Sequence, residues 1–234
     1  MNAILSLLDA TWPAAALSRA GAFTIREGQG GGSRVSAATV EGPFEAEDIG
    51  AAEAAQDALG QTNLFMVLGG QDALDDALAA RGYRVKDPVV IYAAATAVLA
   101  EPEPGPLTAF TVWPPFEIMR VVWAEGGIGP ARLAVMDRVA GPKTAIMGRV
   151  PDRMSGVAFV AVVENRAMLH ALHVSPAMRR QGSAVNMMRK AAIWAQDHGA
   201  TELFLAVTRA NEAANALYAS LGMRIVENYH YRSR

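Results

Sequence analysis

The spacing of apolar residues divides the chain into alternating helix and strand patterns. Apolar residues three and four positions apart predict helices, whereas short apolar runs between turn residues predict strands. In the first hundred residues the predicted helices are 1–8, 45–59 and 71–81, and the predicted strands are 22–27, 34–40, 64–68 and 89–93. The glycine-rich segment 28–33 is predicted to be a hairpin turn, because a strand rather than a helix follows it.

The second part of the chain continues this alternation. Its predicted helices are 116–124, 126–138, 182–198 and 212–221, and its predicted strands are 107–112, 144–149, 157–163, 168–174, 202–207 and 224–231. Helices and strands that alternate in this way predict an α/β (α+β) protein.

A proline-rich segment separates the two parts. Residues 101–106 contain three prolines, which disfavour regular structure and predict an extended linker. We therefore expect an N-terminal domain over residues 1–100 and a C-terminal domain over residues 107–234.

Two segments recur in both parts. The segment TNLFMV at 62–67 matches TELFLA at 201–206. With a one-residue gap, ARGYRV at 80–85 matches SLGMRI at 220–225. This self-similarity indicates a duplication; chance similarity between short apolar patterns is the alternative.

Composition and charge restrict the function classes. The chain has no cysteine, which excludes disulfides and a cysteine nucleophile, and its four scattered histidines predict no metal site. Without a signal peptide or a long apolar run, we expect a cytoplasmic protein that does not enter a membrane. Residues 1–106 carry 6 basic and 14 acidic side chains, and residues 107–234 carry 15 and 9. This asymmetry favours an anionic ligand for the second part, or attraction between the two parts; no basic run predicts nucleic-acid binding.

The junction between a predicted strand and the helix at 182–198 has the composition of a phosphate site. Residues 174–184 read VSPAMRRQGSA, with Arg179 and Arg180 before Gly182. The N–H groups of about 180–184 at such a helix start lack internal partners and face the positive end of the helix dipole. Two arginines at a helix N-terminus oppose that dipole, which favours a bound anion over a solvated surface.

Two motifs in the C-terminal part resemble the GNAT acetyltransferase superfamily. The first is Arg-x-x-Gly-x-Ala at 179–184, and the second, at 211–222, runs from Asn211 through Leu217 and Tyr218 to Gly222. The resemblance covers roughly residues 107–234. It implies a GNAT fold with a mixed, mostly antiparallel sheet flanked by helices. It also implies an acetyl-CoA-dependent N-acetyltransferase that acetylates a primary amine directly in a ternary complex.

The N-terminal part resembles the divergent half of some bacterial GNAT proteins. Thr11-Trp-Pro, the glycine-rich segment and the ending Tyr-His-Tyr-Arg at 229–232 carry this resemblance. It implies a smaller, degenerate GNAT-like domain, in which Leu78 takes the place of Tyr218 and no phosphate loop precedes it. We therefore expect one working site.

The resemblance also implies which residues bind the cofactor. The pyrophosphate of acetyl-CoA would lie on the loop, and the pantetheine arm would pair with the strand that ends at Val174. The implied contacts are Leu172, His173, Val174, Arg179, Arg180, Gln181, Gly182, Ser183, Ala184 and Asn211. Asn211 as a helix N-cap is the alternative for that residue.

Tyr218 and His170 are the predicted catalytic residues. Tyr218 would protonate the departing thiolate. His170 would help to deprotonate the amine, as the matching strand of arylalkylamine N-acetyltransferases implies; a core histidine, Glu164 and water are the alternatives. Strand alternation predicts that His170, Leu172 and Val174 share one face of the strand, with His173 on the other.

Several questions stay open at this point. The acceptor is the amine of a small molecule or of a peptide, and the protein is a monomer or a homodimer. Trp113, Phe116 and Trp123 fit either the core or an acceptor pocket. A non-catalytic acyl-CoA binding module and a transferase with another acyl donor are the rival functions.

Overall fold

The computed structural model describes residues 2–234, which fold into two sheets and their flanking helices. The helices are α1 (Ala3–Thr11), α2 (Ala46–Ala58), α3 (Asp72–Ala80), α4 (Thr96–Leu99), α5 (Glu117–Glu125), α6 (Pro130–Arg138), α7 (Ser183–Asp197) and α8 (Glu212–Ser220). The strands are β1 (Ala16–Ala20), β2 (Phe23–Glu27), β3 (Thr39–Val40), β4 (Leu64–Leu68), β5 (Arg84–Ala95), β6 (Ala109–Val112), β7 (Lys143–Val150), β8 (Arg153–Val163), β9 (Arg166–Val174), β10 (Glu202–Thr208) and β11 (Arg224–Ser233). The predicted α/β class with a mostly antiparallel sheet is confirmed.

The larger sheet combines strands from both parts of the chain. Its order is β4-β11-β5-β10-β9-β8-β7-β6, and β9–β10 is its parallel pair. The last strand, β11, lies between β4 and β5, and it pairs with both in antiparallel fashion. In turn, β5 pairs with β10. The final strand of each part is thus inserted beside a strand of the other part.

The repeat in the sequence corresponds to a repeat in the structure. The unit β4–α3–β5 has the same order as β10–α8–β11. The helices begin at 72 and 212, and the following strands begin at 84 and 224. This agreement supports the predicted duplication, because the similar segments occupy the same elements in both units.

Helices cover both faces of the larger sheet. On one face α7 buries a stripe of small and flexible side chains against the sheet: Met187, Met188, Ala191, Ala192 and Ala195. Their spacing is that of one helix face, as the sequence pattern predicts. Helices α1 and α5 pack on the other face, against β8 and β9. Within residues 2–234 no helix is long and apolar enough to cross a membrane.

The glycine-rich segment belongs to a long connection between the antiparallel strands β2 and β3 and is not the predicted tight hairpin turn. Residues 33–35 form a short 3₁₀ helix, and only Thr39 and Val40 of the predicted strand 34–40 pair with β2. Val35, Ala37 and Ala38 are all buried, so this segment does not alternate between core and solvent as a half-exposed strand would. The sequence pattern also did not predict β1 and α4. Residues 101–106 contain neither helix nor strand.

Candidate functional site

A gap between β9 and β10 forms the centre of the site. The two strands pair in parallel from Arg166 and Glu202 as far as Leu169 and Leu205, and the described pairing ends there. Beyond that point the space beside β9 widens into a cavity of about 700 Å³, which also borders α7 and α8. This volume lies within the range of small-molecule and cofactor sites.

The N-terminus of α7 forms one wall of this cavity. Gly182, the N-cap residue, has a φ of 80°, and no side chain caps the helix. Glycine adopts this left-handed backbone conformation without steric cost, and the conformation turns the chain sharply into the helix. Arg179 and Arg180 line the cavity beside this terminus, and the Arg179 Nε donates to the Val174 carbonyl at 3.3 Å. The arrangement has the backbone donors and positive charge that a phosphate ligand requires.

Buried hydroxyls fix the first residue of α7. Ser183 is buried, and its Oγ lies 2.5 Å from the Oγ of Ser155 on β8. A Cβ added to Gly148 on β7 would lie 2.8 Å from Ser183 Oγ and from Met187 Sδ. The helix terminus therefore lies tightly against the sheet, which holds its N–H groups in one position.

The cavity brings together most of the residues that the sequence predicts. Those that line it are Leu172, His173, Val174, Arg179, Arg180, Gly182, Ser183, Ala184, Asn211 and Tyr218. Gln181 lines a separate surface depression instead, together with Arg149 and Asn186. His170 lies on the other face of the sheet and does not line this cavity.

Tyr218 places a protonated phenol in the cavity. Its side chain is 6% exposed and packs against Tyr92, with 5.7 Å between the ring centroids. Burial raises the pKa of Tyr218 to about 12. Within the described part of the chain its hydroxyl has no hydrogen-bond partner, so the proton is available to a ligand in the cavity.

Asn211 is the N-cap of α8. Its Oδ1 accepts a hydrogen bond from the Ala214 N–H at 3.1 Å, which is the structural role considered from the sequence. The side chain also lines the cavity, so capping and ligand contact are compatible. The Asn215 amide donates to the carbonyls of Thr208 and Asn211 and thereby holds the loop before α8.

A β-bulge at Ala171 interrupts the alternation of side chains along β9. Ala171 has a φ of 53°. On β8 one residue separates Val157 from Phe159, whereas two residues of β9 separate their partners, His173 and His170. The strand β9 therefore contains one extra residue at this point. The Trp123 indole N–H donates to the Ala171 carbonyl at 2.9 Å and fixes the bulge.

The bulge reverses which residues of β9 share a face. Leu172 and Val174 pack towards α7, whereas His170 and His173 lie on the opposite face. The prediction that His170 shares a face with Leu172 and Val174 was wrong, because an extra residue interrupts the alternation.

His170 is held in a closed hydrogen-bond chain. The Arg34 guanidinium donates to its Nδ1 at 2.9 Å, since arginine has no acceptor. Its Nε2 therefore carries the proton and donates to Thr11 Oγ1 at 3.0 Å, and that hydroxyl donates to the Leu7 carbonyl. The ring also stacks on Trp12.

This environment does not favour His170 as a base. The side chain is 4% exposed, and burial, together with the charge of Arg34, holds its pKa well below the ordinary value. The one lone pair that could take a proton accepts the Arg34 hydrogen bond. The alternative base, Glu164, lies in the turn at the opposite end of β9, is 74% exposed and pairs with Arg166.

His173 packs on the same face of the sheet as His170, so the predicted separation of the two histidines was wrong as well. Its ring lies against Gly126 at the end of α5, where an added Cβ would be 2.6 Å from Nδ1. Burial and the nearby charge of Arg179 lower its pKa, against an opposing effect of Glu125.

Comparison with known proteins agrees with this geometry. The model of the acetyltransferase (GNAT) family matches residues 137–223, which contain α7, α8 and most of the cavity. An uncharacterized N-acetyltransferase, YobR of Bacillus subtilis (strain 168), is 26% identical over 98 residues. That match spans 42% of this chain and 40% of the relative.

Two solved structures share the fold over nearly the whole chain. A GCN5-related N-acetyltransferase from Kribbella flavida is 18% identical, with a TM-score of 0.74 over 98% of this chain and 93% of that one. A tandem GNAT protein from the clavulanic acid biosynthesis pathway is 13% identical, with a TM-score of 0.61 over 91% and 77%. Residues 137–223 therefore match the GNAT family, and the chain as a whole has the fold of GNAT proteins.

In the described residues of the N-terminal half, the start of the matching helix α2 is already capped by carboxylates. At the start of α2, the Glu45 carboxylate accepts from the third helical N–H, and Asp48 accepts from the Glu45 N–H at 2.9 Å. These carboxylates occupy the donors that a phosphate would need, and their negative charge repels it. Leu78, in place of Tyr218, is fully buried.

Near the site, Arg34 and Tyr229 had no role assigned from the sequence, and Trp123 was assigned only to the core or to an acceptor pocket. Arg34 binds His170, Trp123 fixes the bulge, and Tyr229 lines a second cavity beside Arg34. The alternation of Tyr229-His-Tyr-Arg232 does predict that the two tyrosines share a face. Nothing in the sequence indicates that Arg34 reaches β9, because 136 residues separate it from His170.

Proposed function

We propose that this protein is an N-acetyltransferase that moves an acetyl group from acetyl-CoA to a primary amine, by direct transfer in a ternary complex. The match of residues 137–223 to the GNAT acetyltransferase family supports acyl transfer. The observation that carries the proposal is the cavity of about 700 Å³, because it combines an uncapped helix N-terminus, two arginines and a buried phenol.

The phosphates would bind at the N-terminus of α7. The N–H groups of Ser183 and Ala184 would donate to the pyrophosphate, since no side chain uses them as a cap. Arg179 and Arg180 supply two positive charges at the same wall, and either can reach a further phosphate. The buried Ser155–Ser183 contact keeps these donors in place before the ligand arrives.

The pantetheine arm would bind along the edge of β9. Residues 172–174 pair with β8 on one side only, and their other edge borders the gap where β10 diverges. An extended chain with amide groups can pair with such an edge like an added strand. This placement leads from the phosphate loop to the bulge and brings the thioester near Tyr218.

Tyr218 would act when the carbon–sulfur bond breaks. The neutral amine attacks the acetyl carbon, and the tetrahedral intermediate then expels the thiolate. The phenol, with its pKa raised to about 12, is protonated at neutral pH and donates its proton to the sulfur. The phenolate regains a proton as the new amide nitrogen loses one, so the products are the N-acetylated amine and the free thiol.

The first deprotonation, from ammonium to amine, is assigned to water. Neither His170 nor Glu164 has a free basic group in the cavity, for the reasons given above. This reading leaves the predicted role of His170 as a base without geometric support.

A second candidate function rests on the same observation. With no base at the site, the protein would bind acyl-CoA without turning it over. It predicts binding of coenzyme A and no acetylation of any amine.

Replacing Tyr218 with phenylalanine separates the readings. We expect turnover to fall by about 10²–10⁴-fold, with the Kd for coenzyme A, from calorimetry, within about threefold of the wild type. Tyr92→Phe is the matched control, because its hydroxyl bonds Asn215 and does not line the cavity. Unchanged turnover in Tyr218→Phe would reject the role of Tyr218, and binding without any turnover in the wild type would favour the second candidate.

A further inference from the structure

A second cavity, of about 210 Å³, lies on the other face of the sheet from the proposed cofactor cavity. Ala171 on the bulge and Val207 and Thr208 at the end of β10 line it, so it opens onto the same gap. The N-terminal half contributes part of the remaining wall, including Trp12 and Arg34, and β11 contributes Tyr229 and Tyr231. A water molecule occupies about 30 Å³ in the liquid, so the cavity has the size of a small molecule rather than of a peptide.

Arg34 brings a positive charge into this cavity without a carboxylate partner. Its guanidinium donates to His170, and its Nε atom is buried without a hydrogen bond in the described structure. Among residues 2–234 no acidic side chain forms an ion pair with it. Asp87 and Arg132 also line the cavity, and Asp87 is exposed to solvent. A buried donor on a cation is costly to leave unsatisfied.

Tyr229 adds a second unsatisfied donor. Its side chain is 2% exposed, and its hydroxyl is buried with no partner in the described chain. Tyr229 lies on β11, where its side chain neighbours that of Arg34 and its ring packs against the buried Tyr231. Buried polar groups nearly always have partners, so two orphans at one cavity indicate an absent ligand.

We infer that Arg34 and Tyr229 bind a carboxylate of the acceptor, so that the acceptor is an amino acid or a close analogue rather than a simple amine. A guanidinium and a phenol present donors to an anion with acceptor oxygens only. From this position the amino group would face the gap at Ala171, where the thioester is expected. The inference rests on the proposed function for the identity of the second substrate.

Matched pairs of amines test the substrate class. Glycine, alanine, leucine and phenylalanine are compared with methylamine, ethylamine, isoamylamine and phenethylamine, in assays of thiol release from acetyl-CoA. We expect at least one amino acid to exceed its decarboxylated partner by about 10–100-fold in kcat/KM, the range of a hydrogen bond to a charged group. Turnover of the simple amines at the rate of the amino acids overturns the inference and leaves the acetyltransferase function standing.

Variants of the two donors test the site itself. Tyr229→Phe removes one orphan hydroxyl, so a purely structural role predicts unchanged or greater stability and no other effect. We expect unchanged or greater stability together with about tenfold weaker binding of the N-acetyl form of the preferred amino acid, measured by calorimetry. Tyr83→Phe is the control, because the Tyr83 hydroxyl bonds Glu53 away from the cavity. Equal affinities in the wild type and Tyr229→Phe overturn the inference.

Arg34→Gln and Arg34→Lys complete the test. We expect Arg34→Gln to reduce the kcat/KM of the amino acid to that of its decarboxylated partner, and Arg34→Lys to restore part of it. If no amine is acetylated at all, the proposed function fails. In that case calorimetry with the N-acetyl-amino acids still decides the carboxylate site: binding that Arg34→Gln abolishes supports it, and no binding to the wild type overturns it.

Discussion

A carboxylate on α3 holds the inserted strand β11 in the N-terminal half. Asp75 accepts two hydrogen bonds from Arg232, Nε to Oδ1 at 2.7 Å and Nη2 to Oδ2 at 2.8 Å. The His230 Nε2 donates to the same Oδ1 at 2.6 Å, and the Arg232 Nη1 donates to the Tyr83 carbonyl. Because β11 comes from the end of the chain, this cluster connects the two halves.

We predict that Asp75→Asn destabilises the protein by about 1–2 kcal/mol. The Arg232 hydrogen bonds, with His230, lower the pKa of Asp75 from 3.8 to about 2. That difference corresponds to roughly 2.4 kcal/mol at 1.36 kcal/mol per unit. The carboxylate is 28% exposed, so screening by solvent reduces the figure. A loss of this size lowers the Tm of a chain of this length by about 2–8 °C.

The same pKa sets the pH range in which the difference appears. A carboxyl whose pKa is lower in the folded state stabilises the protein above its unfolded value, and this contribution is lost as pH falls towards the folded value. The stability difference between the wild type and Asp75→Asn should therefore be full at pH 7 and shrink between about pH 4 and pH 2.

Urea denaturation at pH 7, 5, 4 and 3 measures this difference. Asp76→Asn serves as the control for charge alone, since Asp76 is an exposed neighbour on α3 whose charge also raises the pKa of Arg232, whereas the hydrogen bonds of Arg232 go to Asp75. If Asp75→Asn is no less stable than Asp76→Asn, or if the gap to the wild type is the same at pH 3 as at pH 7, the reasoning is refuted.

Two further predictions concern the site. Gly182→Ala should weaken coenzyme A binding by about 5–30-fold in calorimetry. An added Cβ would meet nothing within 4 Å, so the cause is the backbone: a φ of 80° costs a residue other than glycine about 1–2 kcal/mol. The control Gly60→Ala, at a φ of 65° in open space, should lose stability and keep its affinity for coenzyme A; equal affinities in the wild type and both variants would contradict this prediction. Trp123→Phe leaves the Ala171 carbonyl without its hydrogen-bond donor. We therefore expect the free energy of unfolding in urea to fall by about 1–3 kcal/mol and the amide hydrogens of residues 169–174 to exchange faster. Unchanged exchange would show that the indole does not support the bulge.

Sequence patterns predicted the elements whose burial follows a regular period. The helix 182–198 was predicted within one residue at each end, because its apolar stripe repeats at helical spacing and Gly199 follows it. The residues of the proposed cofactor cavity came from a different source. The resemblance of two motifs to the GNAT superfamily implied that Arg179, Gly182 and Asn211 act at one site, and the structure lines one cavity with them.

The parts that the patterns missed depend on contacts distant in sequence. The extra residue at Ala171 is stabilised by Trp123, 48 positions earlier, and no local signal marks it. Segment 34–40 is apolar enough for a strand, but packing of Val35 beneath α6 keeps it in a tighter turn. The surroundings of His170 come from α1, the glycine-rich segment and β9, so its lack of a free lone pair could not be read from its own strand.

The position of β11 explains why the second cavity requires both halves of the chain. The predicted boundary at 101–106 divides the sequence but not the larger sheet, because β5 pairs with β10 and β11 pairs with β4 and β5. A chain that began at residue 107 would leave β11 without either of its neighbours. The proposed cofactor cavity is lined by β9, α7, α8 and the loops before these helices, whereas the second cavity takes Arg34 from one half and Tyr229 from the other. The N-terminal half can therefore lose its own phosphate site and still be needed, since it completes the wall that we propose selects the acceptor.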